Sequence, residues 1–473
     1  MRTVDVAIIG VGSAGIAARS EVVRVTDDYV VIDDGMLGTT CARVGCMPSK
    51  TLIQVANDFH RRALFGEMGI AGAGVLAVDR GRVMAHVRRL RDAFVDAVLK
   101  DMRTWQQHLV RARARFVDAD TLAAGDDTIK AKAVVIATGS RPVIPAAWRP
   151  LSRHLLDTDS LFEVDTLPDR VAVIGIGAIG TELGQALARL GVDVVAASTS
   201  RAVAGLSSPA LQELAARLLS REMQVRHGNA VLEAGGERPL RLGIGPDAWD
   251  VDAALVAVGR RPNLAGLGLE EIGVPLDEKG LPKVDPTTMR VENTSIYLAG
   301  DASGGRAIFH EAVDEGRMAG FNAARRESHC FQRAPRLAIT FSDPNIAIVG
   351  RGWQNLTNDG VDFVTGQASF ARQGRAVVMG ETEGQIEVYV DRKSGKLLGA
   401  EMIAPRAEHL AHLLAFALSM NVTVHQFLQM PFYHPAIEEG LRTALKDAAY
   451  KLERRIRDIE AMRCAEPPAG GTV

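Results

Sequence analysis

The sequence is poor in several features that would place it in other classes of protein. Four cysteines in 473 residues argue against a structural disulfide framework, and a formal net charge of −2 gives no reason to expect nucleic acid or a membrane as partner. No uninterrupted apolar run reaches about 18 residues, the length needed to span a bilayer. Met1-Arg2-Thr3 leads straight into a strand, which leaves no space for a signal peptide. We therefore expect a cytoplasmic protein.

The composition provides ample material for hydrophobic cores. Apolar residues make up 47% of the chain and charged residues 24%, a balance typical of globular proteins. With about 150 residues per domain, the length suggests roughly three domains. An amphipathic helix without chemistry is predicted over residues 83–113, where apolar residues recur at helical spacing. Strand-like alternation from about residue 336, followed by a helix over 407–420, predicts an α+β domain.

Two of the cysteines stand close together in the segment Gly38–Lys50. Cys41 and Cys46 are five positions apart, in a segment that is loop-like at its start and turns helical after Pro48. Backbone N–H groups at a helix start, together with the charge of Lys50, stabilise a thiolate, so we expect the pKa of Cys46 to be lowered. Because thiolates exchange disulfides, the pair predicts a redox-active dithiol.

Two other interpretations of this cysteine pair remain open at this stage. The cysteines could be buried side chains on a bend, or half of a metal site. Metal binding favours a second Cys or His pair at matching spacing. Cys330 and Cys464 are isolated in the sequence, so we expect no metal site.

Two glycine-rich turns, 165 residues apart, each follow an apolar strand and precede a helix. Glycine allows a tight turn and a close approach of the backbone to a pyrophosphate. The glycines are Gly10, Gly12 and Gly15 in the first turn, and Gly175, Gly177 and Gly180 in the second. Ordinary glycine-rich turns are the alternative. Two dinucleotide sites beside a dithiol indicate that electrons pass from one dinucleotide to the other and on to sulfur.

The strands that follow the two turns end differently. The first ends at Asp33, 23 residues after Gly10, where a carboxylate can accept hydrogen bonds from ribose hydroxyls. The same count from the second turn reaches Ser198, and Arg201 follows shortly after. Hydroxyls and an arginine, with no carboxylate to repel a 2′-phosphate, favour NADPH over NADH. The alternative is that Arg201 is a solvated loop residue.

The cysteine segment, Cys-x4-Cys followed by Pro-Ser-Lys, resembles the redox-active segment of the flavoprotein disulfide reductases, the family of dihydrolipoamide dehydrogenase, glutathione reductase and mercuric reductase. The resemblance covers nearly the whole chain, from Val4 to about Lys451. It implies an α/β fold with two Rossmann-like domains and a C-terminal α+β dimerisation domain. FAD and a nicotinamide nucleotide are the implied cofactors, and an obligate homodimer is the implied assembly.

The resemblance also implies domain boundaries and cofactor contacts. We expect a discontinuous FAD-binding domain at 1–147 and 266–335, an NAD(P)-binding domain at 148–265, a dimerisation domain at 336–455 and a tail at 456–473. Asp301 is expected to bind the ribityl chain of FAD, and the helix begun at His310 to direct its N-terminus at the flavin. The other residues assigned to the cofactors are Thr40, Lys50, Thr138, Gly139, Gly259 and Gly300.

The resemblance assigns catalytic roles residue by residue. Cys41 exchanges with substrate and Cys46 faces the flavin. Glu182 is expected to reach Lys50 beside the flavin.

A second catalytic element is implied near the end of the chain. By spacing alone, a histidine before a proline and a helix is a capping or surface residue. The resemblance instead makes His434 the acid/base group, contributed by the other subunit, with Glu439 as its partner. Glu438 is the adjacent rival for that role. The chemistry needs such a group, because Cys41 must lose a proton to attack and the leaving thiolate must gain one.

These expectations combine into one leading hypothesis, an FAD-dependent, nicotinamide-linked dithiol/disulfide oxidoreductase of the dihydrolipoamide dehydrogenase type. Its substrate is a lipoyl-type or other small-molecule disulfide. Alternatives are an NADPH-dependent reductase of another disulfide such as glutathione, a mercuric-reductase-like enzyme and a non-catalytic flavoprotein. Phe432 stands where dihydrolipoamide dehydrogenases often carry a second histidine, Ala178 where an aromatic residue often covers the flavin, and Cys464 is single where mercuric reductases use a pair.

Overall fold

A computed structural model describes residues 1–452 of the chain. The chain divides into two compact units. The first comprises Met1–Val55, Val78–Pro168 and Ala253–Arg333, and the second comprises Ala56–Ala77, Asp169–Asp252 and the chain from Ala334 on. The division into three domains and a tail stays a prediction, and Cys464 lies outside the described residues. Within residues 1–452, no helix combines the length and the apolar character needed to cross a membrane.

The described residues form 22 strands and twelve α-helices. The strands are β1 Arg2–Ile9, β2 Tyr29–Ile32, β3 Leu109–Val110, β4 Ala114–Asp118, β5 Thr121–Ala124, β6 Asp127–Ile136, β7 Ser140–Pro142, β8 Leu155–Leu156, β9 Arg170–Ile174, β10 Asp193–Ser198, β11 Gln224–His227, β12 Ala230–Ala234, β13 Leu240–Ile244, β14 Asp247–Val251, β15 Ala253–Val256, β16 Arg260–Pro262, β17 Ile296–Leu298, β18 Leu337–Thr340, β19 Asn345–Gly350, β20 Phe363–Ser369, β21 Gln385–Asp391 and β22 Leu397–Ala404. The α-helices are α1 Ser13–Val22, α2 Thr40–Arg43, α3 Cys46–His60, α4 Arg80–Arg103, α5 Ala178–Arg189, α6 Pro209–Leu219, α7 Phe309–Arg325, α8 Trp353–Asn358, α9 Gly374–Met379, α10 Ala407–Ser419, α11 Val424–Leu428 and α12 Glu438–Lys451.

The main sheet of the first unit has the strand order β3-β2-β1-β6-β5-β4. Strand β17 also pairs with β6, along the edge opposite β1. Strand β6 explains how a parallel and an antiparallel part meet in one sheet. Its first residues alternate between exposed and buried and pair antiparallel with β5, whereas its last four are all buried and pair in parallel with β1 and β17. Strands covered on both faces are continuously apolar, as Ala133–Ile136 is.

The second unit contains another parallel arrangement, in which β9 pairs with β10 and β10 with β11. Helix α5 connects β9 to β10, which completes a βαβ unit. The three-stranded antiparallel sheet β12-β13-β14 follows. Each glycine-rich turn of the sequence therefore lies between a parallel strand and a helix, as predicted.

The C-terminal part of the second unit is a five-stranded antiparallel sheet in the order β18-β19-β22-β21-β20. Helices α10 and α12 pack against it around a core of buried aliphatic side chains. Gly366 in β20 allows α12 to come close, since a Cβ there would lie 2.2 Å from the carbonyl oxygen of Ala444. The predicted fold class, two Rossmann-like domains and a C-terminal α+β domain, is confirmed.

Two predicted helix boundaries were wrong. The helix predicted over residues 83–113 is α4, which ends at Arg103. Trp105 follows it and is buried in the core, and Leu109–Val110 then forms strand β3 beside β2. The helix expected after Pro48 begins earlier, at Cys46. Pro48 is tolerated in the first turn because backbone N–H groups there have no partner within the helix.

Candidate active site

The two cysteines lie at the starts of successive helices. Cys41 is in the short helix α2, which the hydroxyl of Thr39 caps by accepting a hydrogen bond from the N–H of Ala42 at 3.2 Å. Cys46 is the first residue of α3. The bend between the helices is tight at Gly45, where a Cβ would lie 2.9 Å from the carbonyl oxygen of Thr40 and 3.2 Å from the Cα of Cys41.

Both cysteines are partly buried thiols that contact each other. The pKa of Cys41 is raised, first by its side-chain hydrogen bond with Cys46 and then by burial, while the positive charge of Lys50 acts in the opposite direction. A thiol whose pKa is raised in this way needs a base before it can act as a nucleophile. The lowered pKa expected for Cys46 stays a prediction.

The first glycine-rich turn packs as a phosphate-binding turn does. Gly10 has φ +104° and lies against strand β6, since a Cβ would be 2.4 Å from the carbonyl oxygen of Ala137. Gly15 lies against Gly10, with only 2.0 Å between its Cβ position and the Gly10 carbonyl oxygen. Gly12 is different, because the nearest atom to its Cβ position is 4.0 Å away. Its open side and the start of α1 fit an approaching pyrophosphate.

Asp33 lies beside this turn at the carboxyl end of β2. Its carboxylate accepts hydrogen bonds from the N–H groups of Val11, at 2.8 Å, and Gly35, at 2.7 Å. Nη1 of Arg111 lies 3.7 Å from Oδ1 of Asp33. The side chain is thereby fixed where the ribose of a dinucleotide bound at the turn would lie.

Two segments with predicted flavin-contact residues, 138–140 and 300–301, meet at Asp301. Asp301 follows Gly300 in the 3₁₀ turn Gly300–Ser303 and accepts a hydrogen bond from the hydroxyl of Ser140. Thr138 and Gly139 immediately precede Ser140. The Thr138 hydroxyl is buried and has no hydrogen-bond partner within residues 1–452, so it fits a polar group of a bound cofactor.

Arg260 belongs to the same cluster and was missed as a functional residue. Its guanidinium donates to the hydroxyl and to the carbonyl oxygen of Ser140, both at 2.8 Å, and its Nε lies 3.9 Å from Asp301. A sequence signal existed, because Gly139-Ser-Arg-Pro and Gly259-Arg-Arg-Pro end two equivalent apolar strands. These segments pair antiparallel as β7 and β16.

The other predicted flavin-side residues lie at helix starts. Thr40 is the exposed first residue of α2. His310 is the second residue of α7, which begins one residue earlier than expected, at Phe309. Glu315 in the same helix was not predicted. Its carboxylate is buried and accepts hydrogen bonds from the N–H of Gly300 at 2.9 Å and from Ser303.

The second glycine-rich turn has the same geometry as the first. Gly175 has φ +98°, and a Cβ at Gly180 would lie only 1.8 Å from the carbonyl oxygen of Gly175. Nothing lies within 4 Å of the Cβ position of Gly177. Nothing lies within 4 Å of the Cβ position of Gly259 either.

Glu182 is buried in α5 and accepts a hydrogen bond from the N–H of Phe341 at 2.8 Å. The proposed pairing of Glu182 with Lys50 stays a prediction.

The loop after β10 begins at Ser198. The Ser198 hydroxyl donates to the carbonyl oxygen of Ser200 at 2.8 Å and accepts from its N–H at 3.2 Å, which forms a compact turn. Arg201 follows with an exposed side chain.

His434 contacts Glu439 and not Glu438. Nδ1 of His434 lies 3.0 Å from Oε1 and 3.1 Å from Oε2 of Glu439, which also accepts a hydrogen bond from the N–H of Ala436 at 3.2 Å. The hydrogen bond with His434 is the main cause of a lowered pKa for Glu439. A carboxylate so placed orients the imidazole, which leaves Nε2 as the ring nitrogen for proton transfer.

No group of three or more His, Cys, Asp or Glu side chains within the described part of the chain is arranged to hold a metal ion.

Comparison with protein families identifies this arrangement. Residues 4–316 match the model for pyridine nucleotide-disulphide oxidoreductases, and residues 337–445 match that of their dimerisation domain. The chain belongs to the pyridine nucleotide-disulphide oxidoreductase family. It is a flavoprotein disulfide oxidoreductase, an enzyme acting on sulfur groups. The family depends on FAD and a pyridine nucleotide, and the dimerisation domain indicates a homodimer.

Curated members of the family align along nearly their whole length. Dihydrolipoyl dehydrogenase of Geobacillus stearothermophilus is 31% identical over 447 residues, which cover 91% of this chain and 93% of the relative. Dihydrolipoyl dehydrogenase of Thermus scotoductus is 29% identical over 453 residues, which cover 94% of this chain and 97% of the relative.

Solved structures of other flavoproteins share the fold. The HOCl-induced flavoprotein disulfide reductase RclA of Escherichia coli superposes with a TM-score of 0.80 at 20% identity, covering 94% of this chain and 99% of its own. LpdA of Mycobacterium tuberculosis gives a TM-score of 0.81 at 23% identity, with the same coverage.

Proposed function

We propose that the protein is a dihydrolipoyl dehydrogenase-type enzyme, which interconverts a lipoyl dithiol and its disulfide at Cys41 and Cys46. The supporting observation is the contact between two partly buried thiols at the start of a helix. The names of the curated relatives support the lipoyl substrate. Each subunit of the homodimer holds one FAD at the first glycine-rich turn and one nicotinamide nucleotide at the second.

In the direction of dithiol oxidation, the cycle begins with a Cys41–Cys46 disulfide. One substrate thiol gives its proton to His434, and its sulfur bonds to Cys41 while the Cys41–Cys46 bond breaks, which leaves Cys46 as a thiolate. The sulfur of the second substrate thiol then displaces Cys41 and closes the substrate disulfide. The departing Cys41 sulfur takes the proton held by His434, and the proton of the second thiol passes to His434 in its place. Two electrons and two protons leave the substrate. When bound at the first glycine-rich turn, FAD would supply the two-electron chemistry that links the dithiol to the nicotinamide.

His434 and Glu439 supply the proton transfers in this scheme. We propose that His434 acts on the dithiol of the other subunit, as the dimerisation domain allows. In the direction of disulfide reduction Cys41 is the attacking thiol, and its raised pKa makes a base necessary, because a protonated thiol exchanges slowly. Glu439 keeps the imidazole oriented and stabilises its positive charge. Lys50 and Glu182 are proposed to form an ion pair beside the flavin.

A second candidate is an NADPH-dependent reductase of another disulfide. It is favoured by the loop after β10, where Ser198 replaces the carboxylate that the first copy has at Asp33 and Arg201 adds a positive charge. We propose that the enzyme prefers NADPH on this basis. On this candidate the substrate would be a disulfide other than a lipoyl group, such as oxidised glutathione.

One set of steady-state measurements tests both candidates. The purified FAD-loaded protein is assayed with dihydrolipoamide, oxidised glutathione and Hg(II), each with both nicotinamides. Turnover of dihydrolipoamide above the others supports the dihydrolipoyl dehydrogenase assignment. Higher kcat/KM for oxidised glutathione with NADPH transfers the assignment to the second candidate.

The role of the dithiol has its own test. Cys46→Ser should abolish disulfide turnover while FAD stays bound, because the sulfur that receives the electron pair is lost. Cys330→Ser is the matched control, since Cys330 is an exposed cysteine outside the dithiol segment, and it should turn over normally. Retained turnover in Cys46→Ser contradicts the proposed mechanism.

A further inference from the structure

The carboxyl ends of β10 and β11 bring His227 next to Ser198. The two residues are register partners in the parallel ladder. Neighbouring strands lie about 4.8 Å apart, and side chains alternate between the two faces, so register partners in a parallel pair project to the same face. The N–H of Gly228 also donates to the carbonyl oxygen of Ser198 at 2.9 Å, which ties the two strand ends together. The imidazole of His227 is thus held beside the hydroxyl that begins the nucleotide loop.

The charges at these strand ends have one sign. Segments 198–208 and 226–229 contain Arg201, Arg226 and His227 and no aspartate or glutamate. The ring of His227 is exposed and makes no hydrogen bond within residues 1–452. A site of this kind attracts a phosphate group, because no carboxylate in these segments repels it.

Arg226 is engaged elsewhere, although it is the neighbour of His227 in sequence. Strand alternation places it on the opposite face. Its guanidinium donates to the carbonyl oxygen of Val225 at 3.2 Å and lies 5.5 Å from the centre of the Trp249 ring. The basic side chain in register with Ser198 is therefore that of His227, and Arg201 stands in the adjoining loop.

We propose that His227 is a specificity-determining residue, which binds the 2′-phosphate of NADPH together with Arg201, beside Ser198 at the end of β10. In a parallel α/β sheet the ligand lies at the carboxyl ends of the strands, and the adenosine ribose lies at the end of the second strand of the unit. An imidazole N–H donates to a phosphate oxygen whether the ring is neutral or charged. The inference deepens the proposed NADPH preference and depends on it.

The test measures binding of two nucleotide fragments that differ by one phosphate. The FAD-loaded protein is titrated calorimetrically with 2′,5′-ADP and with 5′-AMP. Loss of a hydrogen bond to a charged group costs about tenfold in affinity, so His227→Ala should weaken 2′,5′-ADP binding by about that factor and leave 5′-AMP binding unchanged. Arg201→Ala should behave in the same way, and His227→Glu should weaken 2′,5′-ADP binding further by repulsion.

Arg226→Ala is the matched control. It removes a positive charge one residue away, on the opposite face, and should leave the ratio of the two affinities unchanged. If Arg226→Ala and His227→Ala lower the ratio equally, a general loss of positive charge explains the effect and the assigned role of His227 is overturned.

Two further outcomes distinguish a wrong role for His227 from a wrong NADPH preference, on which that role depends. If the wild-type protein binds both fragments equally, the NADPH preference is wrong and the 2′-phosphate site is overturned with it. If the wild-type protein prefers 2′,5′-ADP and His227→Ala keeps the full preference, the nucleotide preference stands and only the role of His227 is overturned.

Discussion

Nδ1 of His434 lies 3.0 Å from Oε1 of Glu439, and the carboxylate is additionally held by the N–H of Ala436. Spacing in the sequence left Glu438 and Glu439 as rivals for this position. Three-dimensional placement decides between them, because helix α12 begins at Glu438 and its second residue is the one that turns toward the imidazole.

The two neighbouring glutamates offer a matched test of the acid/base pair. We expect Glu439→Gln to lower kcat by about tenfold to a hundredfold, since a general base contributes about 10²- to 10⁴-fold and this substitution removes only its partner. Glu438→Gln removes the same charge from the adjacent position and should leave kcat nearly unchanged. Steady-state kinetics of both variants check the prediction, and equal losses would contradict it.

The glycine between the cysteines provides a second prediction. A Cβ at Gly45 would lie 2.9 Å from the carbonyl oxygen of Thr40, a backbone atom that cannot easily move. Gly45→Ala should therefore shift the bend, separate Cys41 from Cys46 and slow their oxidation to a disulfide, with a stability loss of about 1–3 kcal/mol.

Thiol titration after timed oxidation measures this rate directly. Gly66→Ala is the control, because nothing lies within 4 Å of its Cβ position and its backbone is not left-handed. If Gly45→Ala oxidises as fast as Gly66→Ala, the bend does not depend on the missing side chain.

Much of the architecture could be predicted from the sequence because its signals are local. A strand, three glycines and a helix occupy adjacent positions, so the helices beginning at Ser13 and Ala178 follow from a short stretch of residues. The end of α4 could not be predicted in this way. Burial of Trp105 and pairing of β3 with β2 depend on contacts far apart in the sequence, which periodicity does not reveal.

The same distinction between local signals and distant contacts applies to the candidate site. The dithiol segment and the glycine-rich turns are contiguous motifs and were predicted. Glu315 acts on Gly300 from a position that carries no local pattern of its own. Arg260 lies in a repeated Gly-x-Arg-Pro segment, but the repeat alone does not reveal its contact with Ser140. Polar side chains that are satisfied by distant backbone groups need coordinates to be recognised.

Two buried carboxylates lead to a prediction about pH. Glu387 and Glu401 are register partners on β21 and β22, and both are buried. The carboxylate of Glu401 accepts hydrogen bonds from the N–H groups of Ser207, Ser208 and Trp353 at 2.8 to 3.0 Å. Within residues 1–452, the hydrogen bonds that Glu387 accepts come from side chains, among them those of Tyr389 and Gln385 at 3.2 Å. Burial raises the pKa of Glu387, and the charge of Glu401 adds to the effect.

A raised pKa in the folded state makes stability fall as the pH rises. Protonated Glu387 is stabilised relative to the unfolded chain, where the pKa is about 4.3, and this stabilisation is lost as the pH rises through the higher folded-state pKa. Glu387→Gln should therefore raise stability above that pH, by about 1.4 kcal/mol for each unit by which the pKa is raised.

Midpoints of thermal unfolding between pH 4 and pH 8 measure the effect. Glu401→Gln is the isosteric comparison and should lower the free energy of unfolding by roughly 2–3 kcal/mol, because backbone donors directed at a carboxylate would face an amide. Destabilisation by both substitutions at neutral pH would show that Glu387 is charged there and would falsify the assignment.

Arg189, at the end of α5, carries the last prediction. Its side chain is 3% exposed and forms ion pairs with Glu222 at 2.6 Å and Asp343 at 2.7 Å. It also donates to the amide oxygen of Asn57 in α3 at 2.7 Å. Removing one partner from a buried ion pair typically costs about 3–5 kcal/mol, because the remaining charge is left without compensation.

Arg189→Met should cost about 3 kcal/mol, the lower end of that range, because the Asp343 side chain is 41% exposed and water can solvate it. Arg189→Lys keeps the charge but loses the planar fork, so its loss should be smaller. A double-mutant cycle with Glu222→Gln isolates the pair, and we expect Arg189→Met to cost less in the Glu222→Gln background. Denaturant unfolding measures each variant, and additive losses would show that the two side chains stabilise the protein independently.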